Sequence, residues 1–187
     1  MYRLPNVLFA FVLTIILAGC NTSTTSSTAD FPAPAFQLTS LENESLSLEE
    51  LKGEVTVIHF GTSWCPFCRV EDPHLEALFQ LYKEKNVRVL VINVGEEDDV
   101  ASKWKKEAGF SFPMLMDRNG EVAASYAPAD AQPALPRHEV MIASNLIIDS
   151  TGRVRFMSLL DTNNFDAELV ALRTKLDLIL KEGYTSS

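Results

Sequence analysis

An apolar run that ends just before two cysteines constrains the fold of this chain more than any other stretch. Residues 54–60, EVTVIHF, are rich in β-branched side chains and lack a polar stripe, which is typical of a strand buried on both faces. After a short turn, residues 65–68 read Cys-Pro-Phe-Cys, and proline suits the first position of a helix. The sequence therefore predicts a buried strand that delivers two cysteines to the N-terminus of a helix.

Strands and helices alternate along the rest of the chain. We expect strand pieces at 35–38, 45–48 and 112–117, and strands at 54–60, 87–94, 139–149 and 152–160. We also expect a helical turn at 48–51, helices at 66–85, 96–109 and 164–183, and a turn followed by a short helix at 119–126. Gly109 and Gly183 are expected to end their helices. This order predicts an α/β sandwich with a mixed central sheet flanked by helices, preceded by an N-terminal β extension.

Cys65 and Cys68 have the spacing and the setting of a redox pair. At a helix N-terminus, unpaired N–H groups and the helix dipole stabilise a thiolate, so Cys65 is expected to have a lowered pKa and to act as the nucleophile. Cys68, one turn later, can attack a mixed disulfide formed on Cys65. Trp64 is expected to cover the pair and to limit the access of solvent.

Two structural alternatives explain the cysteine pair less well. A zinc site needs four ligands, and one Cys-x-x-Cys with three scattered histidines supplies no second half, so no metal or cofactor is expected. A purely structural disulfide that closes so small a loop would stabilise little by restricting the unfolded chain. Redox chemistry is therefore the preferred interpretation.

The N-terminus predicts export and a lipid anchor. Residues 1–19 have one positive charge at Arg3 and an apolar core too short to span a membrane comfortably, which is typical of a signal peptide. The sequence Leu-Ala-Gly-Cys at 17–20 resembles the lipobox of bacterial lipoproteins, in which the cysteine becomes the lipidated first residue. We interpret Cys20 as that residue, 20–30 as a lipidated, flexible polar tether, and 31–183 as the folded domain. The alternatives are an uncleaved anchor and a plain secretory signal.

These features place the domain outside the cytoplasm, where disulfides persist. Lipid on Cys20 would leave Cys65 and Cys68 as the remaining pair, tethered to a bacterial membrane on its periplasmic side. Asn21 lacks the aspartate that retains some lipoproteins at the inner membrane, which slightly favours the outer membrane. The formal charge of −9 and the absence of a basic run argue against nucleic-acid binding.

The chain resembles the thioredoxin-like family, in particular its extracytoplasmic TlpA/ResA branch, across most of residues 31–182. The matching stretches are PAFQLTSLENESLSLEELKGEVTVIHFGTSWCPFCRVEDPHL, then FPMLMD, then LIIDSTGRV. The resemblance implies a thioredoxin fold and an enzyme that exchanges thiols and disulfides, with Cys65 attacking and Cys68 resolving. It also implies exported thiol or disulfide proteins as partners and, for a reductase, a membrane electron donor.

Two titratable residues accompany the cysteines. Glu71 matches the glutamate of the family pattern Cys-x-x-Cys-x-x-Glu, where it tunes proton transfer; otherwise it is an exposed helix carboxylate. His59 lies six residues before Cys65, where cytoplasmic thioredoxins carry a buried acid. With an ordinary pKa of about 6.5, it could accept the proton of the resolving thiol, or it could be a core histidine bonded to backbone.

Two other functions remain open. A thiol peroxidase is suggested by Thr62-x-x-Cys65, which resembles the peroxiredoxin pattern, although Trp64 replaces a smaller residue and no arginine occupies the matching place before residues 146–149, LIID. A copper-delivery module could use both thiolates and a histidine, but the spacing of Cys65 and Cys68 and the distance of His138 from the later aspartate depart from that pattern.

One departure from the family lies opposite the cysteines. Thioredoxin-fold oxidoreductases carry a cis-proline six residues before the aspartate matched by Asp149, and here that position is Ala143, after Ile142. A cis bond without proline costs about 3–4 kcal/mol, so we expect a trans bond at 142–143. Residues 127–137 form an insertion relative to that branch; it either supplies part of a partner groove beside Trp64 or is a surface loop far from the cysteines.

Overall fold

In the computed structural model, residues 26–185 are described, and their strands form a single eight-stranded sheet. The strands are β1 (Ser26–Pro32), β2 (Gln37–Ser40), β3 (Ser45–Ser47), β4 (Val55–Gly61), β5 (Val87–Val94), β6 (Met114–Asp117), β7 (Ser144–Ile148) and β8 (Arg153–Ser158). The helices are α1 (Pro66–Tyr82), α2 (Asp98–Ala108), α3 (Glu121–Tyr126) and α4 (Val170–Thr185), with 3-10 turns at Glu49–Leu51 and Glu139–Met141.

The sheet is mixed, as the sequence predicts. Its strand order is β1-β8-β7-β4-β5-β6-β2-β3, with β4, β5 and β6 parallel and the remaining neighbours antiparallel. The parallel strands β4 and β5 lie at the centre and are buried almost throughout, because helices or loops cover both faces. The strand that precedes the cysteines is therefore held on both sides along its length.

Two hydrophobic clusters cover the two faces of the sheet. One cluster contains Val57 of β4 together with apolar residues of α1, α2 and α4, and it includes both cysteines. The other contains Ile58 and Phe60 of β4 with Tyr126 of α3. Successive side chains of a strand point to opposite faces, so His59 lies on the α1 face, beneath the helix that carries the cysteines.

The N-terminal boundary of the domain differs from the expected one. Residues 26–30, predicted as part of the tether, belong to β1, which pairs with β8 and extends the sheet by one strand. Polar composition alone suggested a flexible segment, but backbone pairing with an edge strand orders it. The predicted signal peptide and Cys20 lie outside the described residues.

The last helix begins and ends later than predicted. Its first residue is Val170 because the carboxylate of Asp166 accepts hydrogen bonds from the backbone N–H groups of Val170 and Ala171 and caps the helix. At the other end, Gly183 is helical and has no positive φ, so it does not end the helix. Segment 159–169, which we call the pre-α4 segment, is irregular.

Strand β7 is shorter than the expected run of 139–149. Glu139–Met141 forms a 3-10 turn, and Ala143 has a φ of 60°, so extended structure begins only at Ser144. Helix α1 ends at Tyr82 rather than at 85. Within residues 26–185, no helix combines the length and the apolar character needed to cross a bilayer.

Candidate active site

Cys65 is the N-cap of α1, at the position predicted from Pro66. Its backbone is extended, and its sulfur accepts a hydrogen bond from the backbone N–H of Cys68 at 3.4 Å. Pro66 takes the first helical position, where a missing N–H costs nothing. The helix start therefore points unpaired backbone N–H groups at Sγ of Cys65.

The two thiols are free, buried and unequal in acidity. Cys65 is 3% exposed and Cys68 is fully buried. A hydrogen bond from the Cys68 thiol, with help from the backbone N–H groups of Cys68 and Phe67, lowers the pKa of Cys65 to about 6. The same hydrogen bond and burial raise the pKa of Cys68 far above its usual range. This pairing gives one nucleophilic thiolate and one thiol that keeps its proton.

Glu71 lies one helical turn after Cys68 and is only 2% exposed. Burial raises the pKa of its carboxyl to about 8, although a hydrogen bond from Nδ2 of Asn145 to Oε1 at 2.9 Å works in the opposite direction. Glu71 is thus not the exposed helix carboxylate of the alternative interpretation. A buried carboxyl with a pKa near 8 can hold or release a proton near neutral pH.

His59 is completely buried beneath Glu71. Its Nδ1 lies 3.0 Å from Oδ1 of Asn145 and 3.4 Å from Oε2 of Glu71. Burial lowers the pKa of the imidazole to about 4, so His59 is neutral at pH 7 and forms no ion pair with Glu71 at that pH. Since a neutral imidazole has one N–H, the acceptor Oδ1 places that proton on Nδ1.

Asn145 joins these two residues, and the sequence analysis did not identify it. It lies on β7 directly opposite His59 on β4, so both side chains reach the α1 face. The signal in the sequence was an asparagine directly before the apolar run 146–148, in a segment expected to be a strand, where a buried amide requires partners. Recognising it also required the register of β4 with β7.

Glu96 is a second residue that the sequence analysis missed, and its carboxylate fixes the turn before the cysteines. Glu96 accepts hydrogen bonds from the backbone N–H of Ser63 at 2.8 Å, from its hydroxyl at 2.6 Å, and from Nδ2 of Asn93 at 2.6 Å. Asn93 is buried on β5, next to β4. The turn that leads into Cys65 is therefore tied to the central sheet.

Aromatic residues border the cysteines on two sides. Trp64 is 65% exposed, so its indole lies mostly in solvent, and its role as a cover for the pair stays a prediction. Phe67, between the cysteines, packs edge-on against Phe165 of the pre-α4 segment with ring centroids 5.0 Å apart. This contact places the pre-α4 segment beside the start of α1.

The position usually held by a cis-proline has a different backbone here. All peptide bonds among residues 26–185 are trans, including the one between Ile142 and Ala143, as expected. Ala143 is 3% exposed, donates its N–H to the carbonyl of Phe60 at 2.8 Å and packs in the cluster that contains both cysteines.

The described side-chain hydrogen bonds of the insertion at 127–137 lie within it. The guanidinium of Arg137 donates to the backbone carbonyls of Ala131 and Pro128. Ala127 packs in the cluster on the α3 face of the sheet. The suggestion that this insertion forms a partner groove beside Trp64 stays a prediction.

Chemically, the site offers thiols and proton-transfer groups. Among residues 26–185, no three His, Cys, Asp or Glu side chains are arranged to hold a metal ion.

Comparisons with known proteins agree with this geometry. Residues 30–157 match the AhpC/TSA family. The chain is 28% identical over 122 residues to the thiol-disulfide oxidoreductase ResA of Bacillus thuringiensis subsp. konkukian, an alignment that covers 65% of this chain. It spans slightly less than two thirds, 64%, of that relative's length.

Two solved structures show the same fold at low sequence identity. A protein from Bacteroides thetaiotaomicron, solved under the provisional description of a protein disulfide isomerase, has a TM-score of 0.69 and 23% identity, covering 86% of this chain and 98% of its own. A thiol:disulfide interchange protein of the thioredoxin family from Chlorobium tepidum TLS has a TM-score of 0.61 and 20% identity, covering 82% and 99%. The predicted thioredoxin fold is confirmed.

Proposed function

Since the chain belongs to the AhpC/TSA family and carries a buried Cys-x-x-Cys pair on a thioredoxin fold, we propose that it is a thiol–disulfide oxidoreductase. The observation that carries this proposal is the unequal acidity of two thiols at one helix N-terminus. A similar relative is named for the same activity.

In the first step, the thiolate of Cys65 attacks a disulfide of a partner protein. A bond forms between Sγ of Cys65 and one partner sulfur, while the second partner sulfur leaves as a thiolate. With a pKa of about 6, Cys65 is mostly ionised at pH 7 and needs no base. Hydrogen bonds from backbone N–H groups at the start of α1 hold the attacking sulfur in place.

In the second step, Cys68 resolves the mixed disulfide. Its thiol must lose a proton first, because the thiolate is the nucleophile. Glu71, one turn along the same buried helix face, accepts that proton as a carboxylate. Sulfur of Cys68 then bonds to sulfur of Cys65 and releases the partner as a thiolate; two electrons have moved from the enzyme to the partner.

The direction and the setting are further parts of the proposal. In the reductase direction, the Cys65–Cys68 disulfide is recharged by a membrane electron donor, and the partners are exported proteins whose thiols must stay reduced. The lipobox-like residues 17–20 support a tether to the periplasmic side of a bacterial membrane, with the outer membrane slightly favoured. A fatty-acid probe supplied to cells should label the wild type and not Cys20→Ala; a soluble, unlabelled wild type would remove the tether.

A second candidate function is thiol peroxidase, favoured by Thr62. It is 1% exposed, its carbonyl accepts the N–H of Cys65 at 3.3 Å, and its hydroxyl has no hydrogen-bond partner among residues 26–185. A peroxide could accept a hydrogen bond from that hydroxyl while Cys65 attacks it. The exposed Trp64 and the engagement of Arg137 within its own loop count against this candidate.

Single-turnover kinetics separate the two functions. Fully reduced protein is mixed in separate experiments with a small aromatic disulfide, which releases a coloured thiol, and with hydrogen peroxide. We expect fast reaction with the disulfide, loss of reaction in Cys65→Ser, and slow consumption of peroxide. Rapid reaction with peroxide that Thr62→Val abolishes, together with slow disulfide exchange, would reverse the assignment.

A further inference from the structure

The pair His59–Glu71 has one shared neighbour, and that neighbour is an amide rather than an ionisable group. Oδ1 of Asn145 accepts from Nδ1 of His59, and Nδ2 of Asn145 donates to Oε1 of Glu71. Asn145 is 3% exposed. One amide on β7 therefore orients an imidazole on β4 and a carboxyl on α1 at the same time.

Two buried atoms of this cluster lack a hydrogen bond within the described part of the chain. They are Nε2 of His59 and Oε2 of Glu71. A buried polar atom without a partner is costly in a purely structural network, and such atoms mark groups that change their protonation state or bind water. Oε2 of Glu71 lies 3.4 Å from Nδ1 of His59.

A small cavity lies on the outer side of the cluster. Its volume is about 20 Å³, and its lining includes Glu71, Asn145, Asp161 and Asp166. That volume is sufficient for one water molecule, and the lining supplies the polar groups such a water requires. Asp161 and Asp166 belong to the pre-α4 segment and are partly exposed, so the cavity has the buried carboxyl on one side and residues that reach the surface on the other.

We propose that Asn145 is a positioning residue that ties His59 and Glu71 into one proton-sharing unit beneath Cys68, and that this unit exchanges its proton with solvent through the cavity beside the pre-α4 segment. The proposal rests on the proposed function, since the proton comes from the thiol of Cys68 in the resolving step. From Cys68 the proton passes to Glu71, and from Glu71 to water in the cavity.

The groups around Glu71 determine the direction in which its pKa should shift in each variant. The ionisable groups that face it are Cys65, Cys68 and Asp72 on α1, His59 on β4, and Asp161 and Asp166 in the pre-α4 segment. The hydrogen bond from Asn145 lowers the pKa of Glu71, whereas the negative charge of Asp166 raises it. Removing these two influences must therefore move the titration in opposite directions.

The test follows the two kinetic phases of the reduced protein with a small aromatic disulfide. The first phase depends on the concentration of that disulfide and reports attack by Cys65; the second does not and reports resolution by Cys68. In the wild type, the rate of the second phase should rise with pH, with a midpoint at or below the pKa of about 8 that Glu71 has in the reduced protein, because the mixed disulfide removes the charge of Cys65. In Asn145→Leu, we expect the midpoint of the second phase to move about one pH unit or more towards alkaline pH.

Asp166→Asn is the matched variant, in which the midpoint should shift in the opposite direction. The one carbonyl oxygen of asparagine can still accept a hydrogen bond from Val170 or Ala171, so part of the cap of α4 is kept. The loss of a negative charge should move the midpoint to lower pH by a smaller amount that shrinks at high salt. Thr56→Val is the control, because it removes a buried hydroxyl of β4 that has no hydrogen-bond partner within residues 26–185; its midpoint should equal the wild-type value.

Three outcomes would overturn the proposal or its premise. An unchanged midpoint in Asn145→Leu, with a normal second phase in the wild type, would exclude Asn145 as a positioning residue. An unchanged midpoint in Asp166→Asn would contradict the coupling of Glu71 to the pre-α4 segment, on which the exit through the cavity depends. Absence of a second phase in the wild type would instead contradict the proposed function. If Asn145→Leu does not fold, Asn145→Ser takes its place, because its shorter side chain cannot reach both His59 and Glu71.

Discussion

The backbone N–H of Cys68 donates to Sγ of Cys65 at 3.4 Å, so each cysteine sets the chemistry of the other. The geometry stabilises a negative charge on Cys65 at the helix N-terminus and encloses Cys68 completely beneath it. The resolving thiol must therefore deprotonate inside the protein, and the buried residues around it determine the rate.

Alkylation should distinguish the two thiols. Because the pKa of Cys65 is lowered to about 6 and that of Cys68 is raised, iodoacetamide should modify Cys65 first, with a rate that rises around pH 6 and then levels off. Peptide mass spectrometry after short pulses at several pH values measures both rates. Faster modification of Cys68 at any pH would contradict the assignment.

Glu71 should make the reduced protein less stable as the pH rises. Its pKa is raised from 4.5 to about 8 in the folded state, so between these two pH values the folded protein binds a proton that the unfolded chain has released. The free energy of unfolding therefore decreases as the pH rises through this range. For a carboxyl that is 2% exposed, the loss is on the order of a few kcal/mol. Denaturant unfolding of wild type and Glu71→Gln across this range tests it: the slope should be much smaller in the variant. Equal slopes would place the carboxyl in contact with water.

His59 should make the protein less stable as the pH falls below 6.5. Its pKa is lowered from 6.5 to about 4 in the folded state, so stability is complete above pH 6.5 and falls as the pH drops towards 4, where the unfolded chain binds the additional proton. His59→Phe should remove the decrease in unfolding free energy that His59 causes at acid pH, while the separate pH dependence caused by Glu71 should remain. The measurement is the difference in unfolding free energy between pH 7 and pH 5, with Thr56→Val as control. An unchanged difference would contradict the burial of a neutral imidazole.

Restoring proline at the usual cis-proline position should damage this protein. Ala143 has a φ of 60° and donates its N–H to Phe60, whereas proline requires a negative φ and has no N–H. Ala143→Pro should therefore lose roughly 3 kcal/mol of unfolding free energy, while Ala143→Gly should stay within about 1 kcal/mol of the wild type. Thermal and denaturant unfolding measure both. A proline variant as stable as the wild type would show that the turn can adopt another backbone.

The cysteine pair was predictable from local sequence, whereas its proton network was not. The buried strand β4, the helix start at Pro66 and the order of the sheet's central elements follow from periodicity and capping, which are local properties. The contact between His59 and Asn145 spans 86 residues and depends on the antiparallel register of β4 with β7. Composition could not supply that register, so the bridging amide remained hidden.

Errors at the element ends have the same origin. The first helical residue of α4 is set by the side chain of Asp166, and β1 is ordered by pairing with β8, which lies more than a hundred residues later in the chain. A polar stretch such as 26–30 is indistinguishable from a tether until its partner strand is known.

The most direct test of the central claim is capture of the mixed disulfide in a variant that cannot resolve it. Cys68→Ser, reduced and mixed with a small aromatic disulfide, should stop after one thiol is released and carry the other half covalently on Cys65 by peptide mass spectrometry. The wild type should release two thiols and end with a Cys65–Cys68 disulfide, and Cys65→Ser should release none. Turnover by Cys65→Ser, or release of two thiols by Cys68→Ser, would contradict the account.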